Sequence, residues 1–408
     1  MRKNIKVLML SQFASEMANT LVIFVLSIII YKETGSKALI SYLWISYVLG
    51  SIISHLLMGP LIDRINRKII MLLSEWGRGI VFLALIGISF NDSINPLLLI
   101  FSALCVGFLE PMFHPACMSY VSIMVDKSNL KKMNSKLEII AQTATIAGPG
   151  IGGILVSLTN ELYTLVFITI ILFISGLLVL RLPNNKNDEI ENSRWIDELL
   201  EGFSFYKQQK VFLLLAMLIF CVNIAFGAIQ PLLLPFIEEV LDKGEFEFGL
   251  ANSAIAIGMI LGSLLVNIKV LKINTRITML VSLAFSGFMM TLMGLSEIFY
   301  LFIIFVLLDG LFTSLFNINN TYLYQVITPE KLIGRVFAVR GLVAILGLPI
   351  GAFIGGMLSQ IISLKMVFLI MSVLIIVPCL VSLTLPALKK IDSIDSRENT
   401  KIIRVGEK

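Results

Sequence analysis

The chain has 408 residues, 57% of them hydrophobic and only 14% charged, with a mean hydropathy of +0.92 and a formal net charge of +5. Soluble globular proteins carry about 25% charged residues, so this deficit excludes that class and points to a chain that lives in lipid. A nucleic-acid surface is a poor account of the net positive charge, because the cations sort by side of a membrane.

Crossing the hydrocarbon as a helix takes about 20 apolar residues. Twelve runs qualify: 7–31, 39–62, 69–90, 96–123, 137–160, 162–182, 211–239, 247–270, 276–297, 299–324, 336–361 and 364–386. The first follows Arg2, Lys3 and Lys6 like a signal peptide, but its apolar stretch is too long and no small-residue cleavage site ends it. It reads as a retained helix, and it carries Glu16. The second and third are joined by Gly59-Pro60-Leu61-Ile62-Asp63-Arg64-Ile65-Asn66-Arg67-Lys68, a charged connection short enough to force antiparallel neighbours.

The third span holds Glu75 and Arg78, spaced to pair on one helical face as a structural ion pair. The fourth holds Glu110 and His114, four apart on one face and flanked by Pro111 and Pro115. The fifth contains Gly148-Pro149-Gly150-Ile151-Gly152-Gly153. Its glycines allow close helix approach, and Pro149 removes a backbone donor and permits a kink. The same hexapeptide fits GxGxxG, but no strand precedes it, so a dinucleotide fold is excluded.

The longest hydrophilic break, 183–210, divides the spans six and six. Within it Asp197–Tyr206 could form a short amphipathic helix on the cytoplasmic face, or the segment could serve only as a linker. The tenth span carries Asp309 and the patch Asn317, Asn319 and Asn320. The eleventh carries Arg340, a residue placed to snorkel to the cytoplasmic surface. All four cysteines fall in spans without a CxxC pair, as free thiols would.

The loop charges test the count. With both termini cytoplasmic, the cytoplasmic segments hold 26 of the 32 Lys and Arg, which agrees with the positive-inside rule. A faint repeat at a shift of about 200 residues pairs Gly148–Gly152 with Gly347–Gly351 and Glu110 with Asp309, the signature of two parallel halves related by an axis along the membrane normal. The expected organisation is a six-helix bundle over 1–182, a cytoplasmic linker over 183–210, a second six-helix bundle over 211–386 and a cytoplasmic tail over 387–408.

The decapeptide resembles the signature between helices 2 and 3 of the major facilitator superfamily, Gly-x-Leu-Ala-Asp-Arg-x-Gly-Arg-Lys, with matches at Gly59, Leu61, Asp63, Arg64, Arg67 and Lys68. Asn66 replaces the second glycine, and Asn is the next-best residue for a left-handed backbone position. Gly148, Pro149, Gly152 and Gly153 resemble the helix 5 motif of the drug–proton antiporter branch. Glu75-x-x-Arg78, the prolines of helix 4, Pro329-Glu330 and Gly334-Arg335-Val336 resemble the macrolide-efflux-like and siderophore-exporter-like group. One departure is the absence of the helix 4 arginine that many drug–proton antiporters carry.

The resemblance implies an all-α integral membrane protein of twelve transmembrane helices in two pseudo-symmetric bundles. It also implies a non-enzymatic transporter that exports an amphipathic small molecule, drug or macrolide-like, by proton antiport with alternating access. The alternative in the same fold is a dedicated exporter of a siderophore or other metabolite. Glu110, Glu16, Asp309 and His114 are the candidates for proton coupling or substrate binding, since ionisable groups at membrane depth are costly and face a cavity or a partner. The loop residues Gly59, Asp63, Arg64, Arg67 and Lys68 would act as a conformational switch, with Asp63 meeting the start of helix 11. The expected setting is the cell membrane, as a monomer with cytoplasmic termini. No Walker loop, no His/Cys cluster at metal spacing and no reactive triad is present in the sequence, so ATP, a resident metal or cofactor, nucleic acid and catalysis are not expected.

Overall fold

The computed structural model describes residues 2–89, 95–125, 127–184, 195–265, 274–329, 332–389 and 391–392. The side chains of 58–64, among them Gly59, Asp63 and Arg64, lie outside the description, as do residue 330 and the tail beyond 392. The described secondary structure is helical, without a strand. It comprises α1 (Arg2–Thr34), α2 (Lys37–Arg64), α3 (Arg67–Ser89), α4 (Pro96–Leu109), α5 (Phe113–Met124), α6 (Lys127–Leu158), α7 (Glu161–Leu180), α8 (Trp195–Gln208), α9 (Lys210–Ile229), α10 (Leu233–Glu239), α11 (Glu245–Leu265), α12 (Thr275–Leu295), α13 (Phe299–Ile327), α14 (Ile333–Ile361) and α15 (Leu364–Thr384). Twelve helical stretches among the described residues are long and apolar enough to cross a membrane, and each overlaps one of the twelve runs read from the sequence.

Two of the twelve are interrupted. Pro111 has no amide hydrogen, so the fourth span ends α4 at Leu109, passes through a 3-10 turn over Glu110–Met112 and resumes as α5. The seventh span breaks in the same way at Gln230–Leu232, around Pro231, between α9 and α10. In lipid an unpaired backbone group costs several kcal/mol, so the ends of spans are capped by side chains. Asn95 accepts from the amide of Leu97 at 2.9 Å, Asn160 from Tyr163 at 2.9 Å and Asn274 from Ile277 at 3.1 Å.

The connection between the second and third spans is shorter than the sequence pattern suggests. Helix α2 continues through Gly59–Arg64, and only Ile65 and Asn66 stand between it and α3. Asn66 does not take a left-handed conformation: among the described non-glycine residues only Asp242 has a positive φ, of 52°. Its side chain instead accepts from the amide of Lys68 at 3.0 Å, and its carbonyl accepts from Ile69 at 2.8 Å. Asparagine at this position caps α3, a task that needs a side-chain oxygen and no unusual φ. A positive φ does occur at Gly35 (φ 61), which ends α1 by donating to the carbonyl of Tyr31 at 2.7 Å and turns the chain directly into α2.

The chain forms two compact units. The first contains residues 1–195 together with 230–253 and 352–361. The second contains 196–229, 254–351 and 362–408. In the first, α2 and α4 meet backbone to backbone: a Cβ on Gly107 would lie 2.0 Å from the carbonyl oxygen of Tyr47, and one on Gly50 would lie 2.3 Å from that of Leu104. In the second, α11 and α13 use the same device, Gly258 against Leu307 and Gly310 against Ile255. The glycines of the fifth span seat α6 on α1, with Gly148 against Thr20 and Gly152 against Leu21 and Phe24. Their echo in the eleventh span seats α14 on α9, with Gly347 against Phe220 and Gly351 against Ile224. The repeat seen in the sequence is thus a repeat of close helix crossings, made by small residues where lipid offers no hydrophobic drive to helix association.

Candidate functional site: polar networks at membrane depth

Helix α1 presents Gln12, Ser15, Glu16 and Asn19 at helical spacing within an otherwise apolar span. Ser15 is fully buried, and its hydroxyl donates to Glu75 Oε1 at 2.7 Å. Glu16 accepts from Gln12 Nε2 at 2.6 Å and from Asn19 Nδ2 at 3.5 Å. From α3, Arg78 Nη2 lies 2.6 Å from Glu75 Oε1, with neither side chain exposed at all. The same guanidinium donates to Ser15 Oγ at 3.2 Å, to the carbonyl of Ser74 at 3.0 Å and to Asn19 Oδ1. The ion pair is therefore part of a chain of contacts that runs Glu75–Arg78–Asn19–Glu16 between α3 and α1.

Glu110 enters from the 3-10 turn that Pro111 forces. Its carboxylate accepts from the hydroxyl of Tyr47 on α2. It lies within electrostatic range of Glu16 and of Arg78. Three carboxylates (Glu16, Glu75 and Glu110) thus share one described cation, Arg78. His114 does not join them: the turn resets the helical register, and His114 is exposed on α5 with no hydrogen bond or ion pair to a described residue. The other histidine, His55, hydrogen-bonds the carbonyl of Ser51 one turn earlier at 2.8 Å.

Asp309 belongs to the second unit. It accepts from Ser286 Oγ of α12 at 2.5 Å, and Ser286 is 3.0 Å from Thr313 Oγ1. The described loop residues are anchored within the first unit. Arg67 Nε donates to Ser119 Oγ at 2.6 Å, and Lys68 Nζ donates to the carbonyls of Leu180 and Leu182 at 2.8 and 2.7 Å. Those are carbonyls at the C-terminal end of α7, where a cation is favoured.

Sequence reasoning missed a second cluster in the first unit. Lys32 Nζ, at the end of α1, lies 2.5 Å from Glu245 and 3.5 Å from Glu161. Lys37 Nζ lies 2.6 Å from Glu239, which also accepts from the Tyr31 hydroxyl at 2.6 Å. Deeper along the same helices the rings of Phe24 and Phe248 stack, with centroids 4.7 Å apart and planes 8° off parallel. Gly153 and Gly249 bring α6 and α11 into backbone contact, and Ser253 Oγ donates to the carbonyl of Ile146 at 3.0 Å. The cluster joins spans one, two, five and six to spans seven and eight. Its members are far apart in the chain, and pairs such as Lys32 and Glu245 have no local spacing to reveal them.

All four cysteines are free, and no group of three His, Cys, Asp or Glu able to hold a metal occurs among the described residues.

Twelve helices among the described residues, long and apolar enough to cross a membrane, define a multi-pass membrane protein. The family model of the Major Facilitator Superfamily matches residues 8–242 and 215–404, and the chain belongs to that superfamily. It is similar to the multidrug efflux pump Tap of Mycolicibacterium fortuitum, at 24% identity over 379 residues, covering 89% of this chain and 91% of that protein. It is also similar to macrolide efflux protein A of Streptococcus pyogenes, at 23% over 391 residues, covering 91% and 94%. Among solved structures, a bacterial homologue of the iron transporter ferroportin in an inward-facing state aligns with a TM-score of 0.70 at 15% identity, covering 97% of this chain and 99% of that one. The nucleoside transporter NupG aligns at 0.71 and 13% identity, covering 95% and 99%. At these identities the structures speak for the fold alone.

Proposed function

We propose that this protein is a secondary active exporter that moves amphipathic small molecules of the drug or macrolide-like class out of the cell in exchange for protons. The observation that carries the coupling is the imbalance of charge around Arg78. One guanidinium offsets one carboxylate, and Glu75 already holds it at 2.6 Å. Glu16 and Glu110 then remain, at a depth where an uncompensated ion costs several kcal/mol. Each of them is compensated by a bound proton or by a cationic group on a substrate, and exchange between the two is antiport. The names of the relatives, a multidrug efflux pump and a macrolide efflux protein, support the substrate class.

In this reading the halves 1–182 and 211–386, joined by 183–210, alternate access in the cell membrane with both termini cytoplasmic, and the protein works as a monomer. The cluster of Lys32, Lys37, Glu161, Glu239 and Glu245 closes the external side, opposite the 59–68 loop, which acts as the cytoplasmic switch. Inside-out vesicles test the proposal. A macrolide or a lipophilic dye should accumulate when the lumen is acidified, and dissipating the pH gradient should stop it. Glu110→Gln should reduce the gradient-driven rate at least about tenfold at unchanged membrane insertion, the expected scale for losing one proton-carrying group. Accumulation that ignores the gradient, or a Glu110→Gln protein that remains fully gradient-driven, would refute proton antiport through this residue.

A further inference from the structure

Arg340 is treated by this chain unlike its other deep arginine. Arg78 is wrapped by Glu75, Asn19, Ser15 and the Ser74 carbonyl. Arg340 is the sixth residue of the span that begins at Arg335, about 7.5 Å in from that end at 1.5 Å per residue. Among the described residues it makes one hydrogen bond, from Nη1 to Thr321 Oγ1 at 3.0 Å, and its charge meets no described carboxylate. What holds it are two aromatic rings: its Cζ lies 5.0 Å from the centroid of Tyr324 and 5.5 Å from that of Phe337. Ring faces take the face of a guanidinium and leave its in-plane N–H donors free. Neighbouring Arg335, by contrast, has its charge taken by Glu201 of α8.

A second polar group in the same stretch of α13 is also unsatisfied. Asn320 is completely buried, and neither its amide nitrogen nor its amide oxygen has a described partner. It immediately precedes Thr321 and lies one turn before Tyr324. A buried amide with both atoms unpaired is destabilising, and a polar guest or its hydration water would supply the missing hydrogen bonds.

The geometry points to an anion site here: we propose that Arg340, with Thr321 and Asn320, receives a phosphate or carboxylate group near the Arg335 end of α14. The chemistry fits because a fork of guanidinium donors matches planar or tetrahedral oxyanions, and because such a pair gains strength where water is scarce. The group could be the headgroup of an anionic lipid or a free soluble anion. The site does not depend on proton antiport.

The test is thermal unfolding of the full-length protein purified in a neutral detergent, titrated separately with phosphatidylglycerol, phosphatidylcholine and inorganic phosphate. Phosphatidylglycerol or phosphate should raise the melting temperature, and phosphatidylcholine should not. A response to the lipid alone identifies a headgroup site, and a response to phosphate identifies a site for soluble anions. Arg340→Gln should raise the half-saturating concentration roughly tenfold or more, the loss expected for one charge-assisted pair. Arg340→Lys should weaken the response less. Should Arg340→Gln not fold, Thr321→Val, which frees the guanidinium from its one described tether, should still change the half-saturating concentration. Arg181→Gln, on an exposed residue at the end of α7, should leave the response intact. No stabilisation of the wild type, an undiminished response in Arg340→Gln, or equal loss in Arg181→Gln would overturn the proposal.

Discussion

Gly249→Val tests the contact between α6 and α11 most directly. A Cβ on Gly249 would lie 2.5 Å from the carbonyl oxygen of Pro149 and 3.1 Å from the Cα of Gly153. Both obstacles are backbone, so no side chain can swing aside. Bringing the nearer contact to the 3.0 Å floor moves the helices apart by at least 0.5 Å (3.0 minus 2.5), and the two valine methyls demand more. Overpacking of this kind costs about 1–3 kcal/mol, a roughly 5- to 150-fold change in an equilibrium between the packed and the separated arrangement. The reporter is Ser253→Cys in a background with the four native cysteines replaced by serine. Ser253 is 9% exposed and held against Ile146, so a thiol there is poorly accessible when the contact is made. In intact cells, a membrane-impermeant maleimide should label it several-fold faster once Gly249→Val is added, and transport should fall. Gly87→Val is the control, since a Cβ there meets nothing within 4 Å. Unchanged labelling in a correctly inserted Gly249→Val protein would refute the claim that this glycine contact closes the external side.

Removing Arg78 should be worse than removing the whole pair. Arg78→Ala leaves Glu75 buried and unpaired, at about 3–5 kcal/mol, whereas Glu75→Gln with Arg78→Gln keeps polar contacts without charge; melting curves in detergent should rank the double variant above the single one. Gly202→Val should lower the melting temperature and Glu201→Ala should barely change it, because a Cβ at 202 would lie 2.7 Å from the Arg335 carbonyl oxygen, whereas the Glu201–Arg335 pair is half-exposed and worth at most about 1 kcal/mol. The Asp392 carboxyl, although burial alone would raise it, is held below its ordinary value by hydrogen bonds from Arg276 and Asn274. Its contribution is then complete above the unfolded-state value near 4 and lost as pH falls further, so Asp392→Asn should lower the melting temperature at pH 7, by an amount that shrinks steadily as pH is taken below about 4.

Much of the architecture could be read from the chain because lipid leaves few choices. A run of about 20 apolar residues has to be helical, and the twelve runs became twelve helical spans with ends shifted by a few residues, two of them broken at a proline. The break at Glu110 was legible in Pro111 and Pro115, but its consequence was not: a 3-10 turn separates Glu110 from His114, which helical counting had placed together. Glu16 stood out as an ion in an apolar helix, but Gln12, Ser15 and Asn19 did not, because their role comes from hydrogen bonds to Glu16, Glu75 and Arg78. Nothing in the sequence singled out Tyr47 as the partner of Glu110, since a tyrosine in a membrane span is unremarkable without its neighbour across α4. Asn66 was expected in a left-handed backbone position because it replaces a glycine, and it proved to be a cap. For Asp63 the sequence pattern remains the only guide, its side chain lying outside the described residues.

Both proposed events, proton exchange and external closure, meet on α1. One end of the polar run contributes Ser15, Glu16 and Asn19 to the network around Arg78. One turn further, Thr20, Leu21 and Phe24 receive the glycines of α6, and Phe24 stacks on Phe248. Two turns beyond that, Tyr31 and Lys32 hold Glu239 and Glu245. From Glu16 to Lys32 is sixteen residues of unbroken helix, about 24 Å at 1.5 Å per residue. Spatial continuity alone does not establish coupling, but here the physical requirement is narrow. A helix tightly packed at Gly148 and Gly152 cannot bend locally to absorb a change at Glu16, because the crossing leaves no room for it. A change in charge at Glu16 therefore has two outlets: rearrangement of the side chains around Arg78, or movement of α1 as a whole, carrying Lys32 away from Glu245. Arg78 is held by four partners, so the proposed antiport requires the second outlet, in which loss of charge at Glu16 weakens the hold of Lys32 on Glu245.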